Sequence, residues 1–445
     1  MPWRESLSPA RMELVALVAP VDLCPAMLTE VARCGTVELD LPYPPATDPD
    51  ELGRAVDAAV VSGPLAGLVG WVPAHDLPAL TRALAPVGAA AVPIAHPRGV
   101  QPPTLLSGGV GREVPAARTL VDTYGTVPYA DVDPSRLAAA AYVVMFGMMF
   151  GDVGQGAILV LLALLLRRGR VARFAKLRRV WHIVAAAGAA SMVFGALYGS
   201  FFGPTGLLPV LWLDPLESPM PLLLTAVLLG AVLLAGAYTL GTINRVREGG
   251  WGYALYARTG VAGSALFASL ALLAWGLTSD VGLAVLAGWV LAATALTFVF
   301  IGLFMEAGGG TAGAMQAFVE VVDTVIRLGS NVVSFARLAA FGLTHAALMT
   351  IVWDGTTALW APDWRAVGAI LLFAVGNVLT FALEALVAGV QALRLEYYEL
   401  FSRIFQSEGR TFRPWAPALR HASDDAPAEH SLDPSSGTSH EGHLS

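Results

Sequence analysis

EVVDTVIRLGSNVVSFARLAAFGLTHAAL, Glu320 to Leu348, decides how this chain is read. It is apolar enough to lie in a membrane, yet Glu320, Asp323, Arg327, Ser330, Ser334, Arg337, Phe341 and Thr344 follow one another at steps of three or four. That step places them on one face of a helix. A second stretch, GNVLTFALEALVAGVQALRL (Gly376 to Leu395), carries a matching stripe of Asn377, Thr380, Glu384, Ala388, Gln391 and Arg394. Ionisable groups are costly inside a membrane helix, so they face a partner or water and mark ion paths. The competing reading is a set of buried ion pairs that hold two helices together.

Composition agrees with a membrane protein. Hydrophobic residues make up 56% of the chain and charged residues 14%, with a mean hydropathy of +0.63. A soluble domain carries about 25% charged residues. The net charge of −7 gives no basic face for nucleic acid. Cys24 and Cys34 suggest neither a disulfide framework nor a zinc site. No apolar leader opens the chain, because Pro2, Arg4, Glu5 and Pro9 interrupt it.

Residues 1–130 read as a small cytoplasmic α/β domain followed by a linker rich in Pro and Gly. MELVALVA (Met12–Ala19), TVELDL (Thr36–Leu41), GLVGWV (Gly67–Val72) and residues 89–94 read as strands. Helices are expected from Asp22, as a cap, to Arg33, and from about Ala74 to Leu84, with Asp76 and Pro78 near its start. Two βαβ-like units suggest a ferredoxin-like split fold.

Residues 131–415 read as a transmembrane domain, predominantly α, with about eight spans. Residues 137–166 are too long for one span of about 20 residues and are interrupted by GDVGQG (Gly151–Gly156). They are expected to form a short helical hairpin over 137–150 and 154–166, with Asp152 near its tip. The loop 167–179 carries seven basic residues and no acid, which puts it on the cytoplasmic side. Further spans are expected over 180–202, 221–243, 261–278 and 281–305. Two long, tilted helices, 314–353 and 364–405, complete the domain and leave both termini cytoplasmic. Residues 416–445, rich in Ser, Asp, Pro, Gly and His, read as a disordered tail.

Three ordered segments resemble one family. FGMMFGDVGQG (Phe146–Gly156), SFARLAAFGLTHAAL (Ser334–Leu348) and EALVAGVQALRLEYYELFSRIFQSEGRTFRPW (Glu384–Trp415) are similar to signatures of the membrane subunit of V-type and A-type ATPases, called subunit a or subunit I. QPPTLL, LVDTYGTVPYADVDP and GALYGSFFG match as well, so the resemblance covers about 102–415.

The resemblance implies a stator subunit of a rotary ATPase that carries protons or sodium past a rotating proteolipid ring through two offset half-channels. It implies that Arg337 offsets the ring carboxylate's charge, which suits a residue that stays protonated, and that Arg394 on the neighbouring helix supports it. Gln391 stands three residues before Arg394, on the same face, and could hydrogen-bond it or Arg337. Glu384, His345, Ser334 and Asp323 are the candidates to line the half-channels, and Arg327 stands where a small polar residue is more usual. A helix-packing role for His345 stays open.

The implied partners are the proteolipid ring, the other rotary ATPase subunits, a peripheral stalk in so far as attachment persists, and the lipid membrane, placing the chain in a bacterial cell membrane. Family members carry a long coiled-coil arm. Here it would have to fit between about Asp48 and Ser62, where no heptads occur, so one compact lobe is expected. GGG (Gly308–Gly310) lacks the Lys and Ser/Thr of a phosphate-binding loop, so no ATP site, metal or cofactor is expected in this chain. An uncoupled proton path, an assembly factor and a secondary transporter are the alternatives. No convincing internal repeat supports the last.

Overall fold

The computed structural model describes residues 9–44, 50–95, 100–105, 131–168, 180–405 and 409–417, with a few positions between 121 and 129. Most of the basic loop, much of the Pro/Gly-rich linker and the tail beyond 417 lie outside the described residues. The chain divides into two compact units, Arg11–Val100 with Arg413 onward, and Met1–Ala10 with Gln101–Phe412.

The first unit is an α/β lobe. Its strands are β1 (Met12–Pro20), β2 (Glu38–Leu39), β3 (Val60–Ser62), β4 (Leu65–Pro73) and β5 (Ala90–Pro93). Its helices are α1 (Cys24–Cys34), α2 (Glu51–Asp57) and α3 (Leu77–Leu84). The sheet order is β2-β4-β1-β5, with antiparallel pairing throughout, and β3 adds a short ladder to β4. This is the split βαβ arrangement expected from the two strand–helix–strand units. β1 lies at the centre because its inward residues, among them Val15 and Leu17, are fully buried.

Two local expectations need correction. Asp22 does not cap α1: it lies in a 3-10 turn, and Leu23 holds the cap position without a side-chain bond. Asp76 does stand at the cap of α3 but makes no side-chain cap bond, and Pro within the first turn sets the helix start instead. Among the described residues between 50 and 62 there is the seven-residue α2 and strand β3, and no coiled coil. The segment after the last membrane helix also packs into this lobe. Trp415 is 3% exposed, donates from its backbone to the Val37 carbonyl at 2.7 Å, and donates from Nε1 to Glu51 Oε1 at 3.1 Å.

The second unit is helical: α4 (Ser135–Met149), α5 (Val153–Arg168), α6 (Trp181–Tyr198), α7 (Pro219–Tyr256), α8 (Val261–Thr278), α9 (Gly282–Glu306), α10 (Gly310–Ser334), α11 (Ala336–Leu359) and α12 (Arg365–Leu395). A π-helical turn, Glu396–Phe401, and a last turn to Ile404 continue α12. Among the described residues six helical stretches are long and apolar enough to cross a membrane, with α10 and α11 counted as one, and the chain is a membrane protein. Their exposed residues are large and apolar, for example Leu228 and Val232 on α7, and Leu379 and Leu383 on α12. Lipid receives such faces without cost, so these helices need no polar outer side.

α4 and α5 form the short hairpin, and both pack on α6. Asp152 at its tip is fully buried. It accepts the N–H groups of Gln155 (2.9 Å), Phe202 (3.0 Å) and Gly203 (2.9 Å) and the Ser200 hydroxyl (2.7 Å). One carboxylate thus caps α5 and fastens the loop after α6 to the hairpin. α7 is longer than expected because it runs on past residue 243 and bends at Gly250, whose φ of 76° is non-helical. The stretch expected as one helix over 314–353 is interrupted at Phe335, which is wholly buried and packs over Gly230 of α7. α11 then packs against α12, α7 and α4.

Candidate functional site: polar cavities along α10, α11 and α12

The break at Phe335 sets the position of Arg337. Arg337 is the second residue of α11, half-buried, and its Nη2 donates to Ser334 Oγ at 3.3 Å. It stands within electrostatic reach of Arg394 on α12 and of Glu399 in the π-helical turn. Arg394 is exposed. Gln391, one turn earlier, has a buried Oε1 with no hydrogen-bond partner among the described residues.

Eight residues beyond Arg337, a rise of about 12 Å at 1.5 Å per residue, lies His345. Its Nδ1 meets Glu384 Oε2 of α12, and both residues are buried, at 3% and 8% exposure. Two helices otherwise apolar at this depth are joined there by one ionisable pair. Phe150 of the hairpin packs on the His345 ring, with centroids 5.3 Å apart, and on Phe381 at 5.9 Å. The pair is not saturated: His345 Nε2 and Glu384 Oε1 have no partner among the described residues. Further along, Gln155 of α5 donates to Met349 Sδ (3.2 Å) and Asn377 Oδ1 (3.5 Å).

Two cavities meet at His345. One, of about 170 Å³, is lined by His345, Met349 and Thr350 of α11, Gly151 of the hairpin, and Tyr198 and Asp214 at the α6–α7 connection. The other, of about 200 Å³, lies between α11 and α12 and includes His345, Thr344, Phe341, Glu384 and Ala388.

A third cavity, of about 510 Å³, is lined by Arg258 and Thr259 at the α7–α8 turn, Asp323, Arg327 and Asn331 of α10, and Tyr397 and Arg403 beyond α12. α7 separates the Asp214 loop from the Arg258 turn, so this cavity opens at the opposite end of the helical unit. Asp323 is half-exposed here and pairs with Arg327 at 2.6 Å, while Arg258 pairs with Glu320 at 3.3 Å. The Asn331 amide, oriented to satisfy both neighbours, donates to Glu399 Oε2 at 2.7 Å and accepts from Arg403 Nε at 3.2 Å.

The seven candidate residues therefore fall into three places. His345 and Glu384 touch. Arg337 and Ser334 touch, with Arg394 close by and Gln391 one helical turn from Arg394. Asp323 lies apart from both, in the third cavity. Arg327 pairs with Asp323, four residues before it on α10. Sequence reasoning did not single out Asn331, Glu399, Arg403, Gln155 or Tyr198 as site residues. Asn331 sits four residues after Arg327, a spacing that could have drawn it in; nothing in the pattern marks Tyr198, which reads as one more aromatic in an apolar helix. Among the described residues no group of acidic, histidine and cysteine side chains could hold a metal.

Comparison with known proteins points one way. The sequence model of the V-type ATPase 116kDa subunit family matches residues 63–207. The A-type ATP synthase subunit I of Thermococcus kodakarensis is 28% identical over 373 residues, covering 78% of this chain and 53% of that protein. The A-type ATP synthase subunit I of Aeropyrum pernix is 29% identical over 349 residues, 66% of this chain and 49% of that protein. The V-type ATP synthase subunit I 2 of Treponema pallidum is 36% identical over 152 residues, 32% of this chain and 33% of that protein. The chain spans about half the length of the longer-matching relatives.

Proposed function

We propose that this chain, which is similar to the V-type and A-type ATP synthase subunit I proteins, is the membrane subunit through which a rotary ATPase passes ions, working against a separate proteolipid ring. The observation that carries this reading is the placement of the cavities. One leads from the α6–α7 loop to His345, another from the opposite end to Asp323 and Asn331, and Arg337 stands on α11 between His345 and the break at Phe335 that follows α10.

In this reading the α6–α7 loop faces the outside and the α7–α8 turn faces the cytoplasm. A carboxylate on a ring helix is neutral while it faces lipid, because a charge there costs several kcal/mol. It loses its proton where a fixed cation offsets the charge. Arg337 supplies that cation, and Ser334 directs its guanidinium by the hydrogen bond described above. Arg394 on α12 adds a second positive charge nearby. The same charges repel a bare cation, which keeps the two cavities from being joined by a leak.

His345 and Glu384 hold and pass the ion on the outer side: the pair can accept a proton and release it while staying compensated, and its two unpaired atoms remain free to bond water. Asp323 does the equivalent on the inner side, paired with Arg327 at 2.6 Å. The exposed apolar faces of α10 and α12, carrying Ile326, Val333, Val378 and Leu386, suit a ring of apolar helices. ATP hydrolysis belongs to other subunits.

The test is ATP-driven ion uptake into vesicles holding the assembled complex. Uptake that depends on this chain supports the reading; an assembled complex that takes up neither protons nor sodium removes it.

A further inference from the structure

We infer that the hydroxyl of Tyr198 is a station of the outer ion passage, holding the water that joins the cavity mouth to His345. The inference rests on the translocation reading above and adds to it a residue outside the α11–α12 stripes.

Tyr198 is the last residue of α6 and is 5% exposed. Its ring is fixed on three sides. It stacks on Trp212 with centroids 6.3 Å apart and tilts against Phe194 at 6.0 Å. It also lies so close over Gly151 that a Cβ there would come within 2.6 Å of ring carbons. The ring is therefore held where it is, and the hydroxyl with it. A buried tyrosine hydroxyl ordinarily has a hydrogen-bond partner. This one has none among the described residues.

Tyr198 lines a cavity of about 170 Å³ together with His345, Ser200 and Asp214. That volume is enough for several waters, and the lining supplies the polar partners that ordered water needs. His345 also presents an unpartnered Nε2. One hydroxyl, which can donate and accept at once, and one ring nitrogen thus end on the same small cavity, and water bonded to both links them. A proton arriving from the loop side can move along these bonds: water protonates Nε2 of a His345 whose Nδ1 proton is held by Glu384, and the hydroxyl keeps the donating water in line. No bond other than O–H and N–H is made or broken.

A purely structural hydroxyl would have a protein partner to lose. Tyr198 Oη has none among the described residues, so its removal is expected to leave the melting temperature unchanged, and a loss of uptake alone points to the cavity. The test is Tyr198→Phe in the assembled complex, measured as ATP-driven proton uptake in H₂O and in D₂O alongside the melting temperature.

Loss of one hydrogen bond in the rate-determining arrangement corresponds to about fivefold in rate. We expect uptake about fivefold slower, a larger solvent isotope effect, and an unchanged melting temperature. Unchanged uptake overturns the inference, as does slower uptake accompanied by a lower melting temperature. Arg337→Ala, run in parallel, separates the two levels: if it pumps normally, the translocation reading itself fails, and this inference with it.

Discussion

His345 Nδ1 and Glu384 Oε2 form the one buried contact between ionisable side chains on α11 and α12 among the described residues. Each residue comes from a different helix, so the contact both fixes the helix pairing and places two proton-exchanging groups at the meeting point of two cavities. The packing and transport roles make different predictions. Removing a positioned proton-transfer group lowers a rate about 10²- to 10⁴-fold. Glu384→Gln keeps the size and a hydrogen bond to the imidazole, so the complex should assemble while ATP-driven uptake falls by at least about a hundredfold. Normal uptake by this variant would return the pair to a packing role.

The break between α10 and α11 depends on one close fit. A Cβ on Gly230 would lie 2.1 Å from Cγ of Phe335, which is itself wholly buried. Overpacking of this kind costs about 1–3 kcal/mol. Gly230→Ala should lower the melting temperature of the purified chain in detergent, and Phe335→Leu in the same chain should recover part of the loss, since touching residues are not additive. Equal melting of wild type and Gly230→Ala would show that the ring is not confined there.

Asp131, which precedes α4, is buried 3.9 Å from Arg245 Nη2, and Arg245 Nη1 holds Glu248 at 2.5 Å. Burial, and then the charge and hydrogen bond of Glu248, push the Asp131 carboxyl up to about 7 from its ordinary 3.8, against the pull of Arg245 and Arg247. The folded chain thus keeps a proton that the unfolded chain has shed. This contribution to stability is complete below 3.8 and is lost as pH rises through about 7. Asp131→Asn removes it. The wild-type melting temperature should therefore fall relative to the variant between about pH 4 and about pH 7. Parallel curves would refute the assignment.

Within the α/β lobe, Trp415 is a core residue supplied from beyond the last membrane helix. Arg413 adds to the same anchoring: its N–H donates to Glu38 Oε2 at 2.7 Å. Trp415→Ala removes a buried indole, a change that costs about 3–5 kcal/mol. It should lower the lobe's unfolding transition and open its tryptic sites at Arg33 and Arg54. Unchanged proteolysis would mean that the lobe stands without this segment.

Much of this was legible before any coordinates. Short apolar runs located β1 and β4, and apolar length located the long helices. The three-to-four spacing put Asp323, Ser334 and Arg337 on one stripe, and Glu384, Gln391 and Arg394 on another, while His345 entered through the family resemblance. Periodicity describes a helix face and says nothing of where a helix breaks. The interruption at Phe335 is slight, with φ −72° and ψ −13°, and leaves no mark in the spacing, so the stretch read as continuous.

Capping by Asp22 and Asp76 failed for a related reason. A side chain of the right type makes a cap only when the chain enters at the right angle, and here proline and a 3-10 turn set the entry. Tyr198 and Trp415 were invisible because an aromatic in an apolar or Pro-rich stretch looks the same whether it fills space, lines a cavity or crosses to another element.

Arg337 bears the central claim. Arg337→Ala removes the cation between the cavities, and Arg337→Lys keeps the charge but loses the planar multi-donor fork that Ser334 engages. ATP-driven ion uptake in vesicles containing the assembled complex tests this most directly. The account predicts no coupled uptake by Arg337→Ala, a severe loss by Arg337→Lys, and a milder loss by Arg394→Ala. Uptake by the Arg337→Ala complex at the wild-type rate would contradict it and leave the polar stripes as helix-joining contacts.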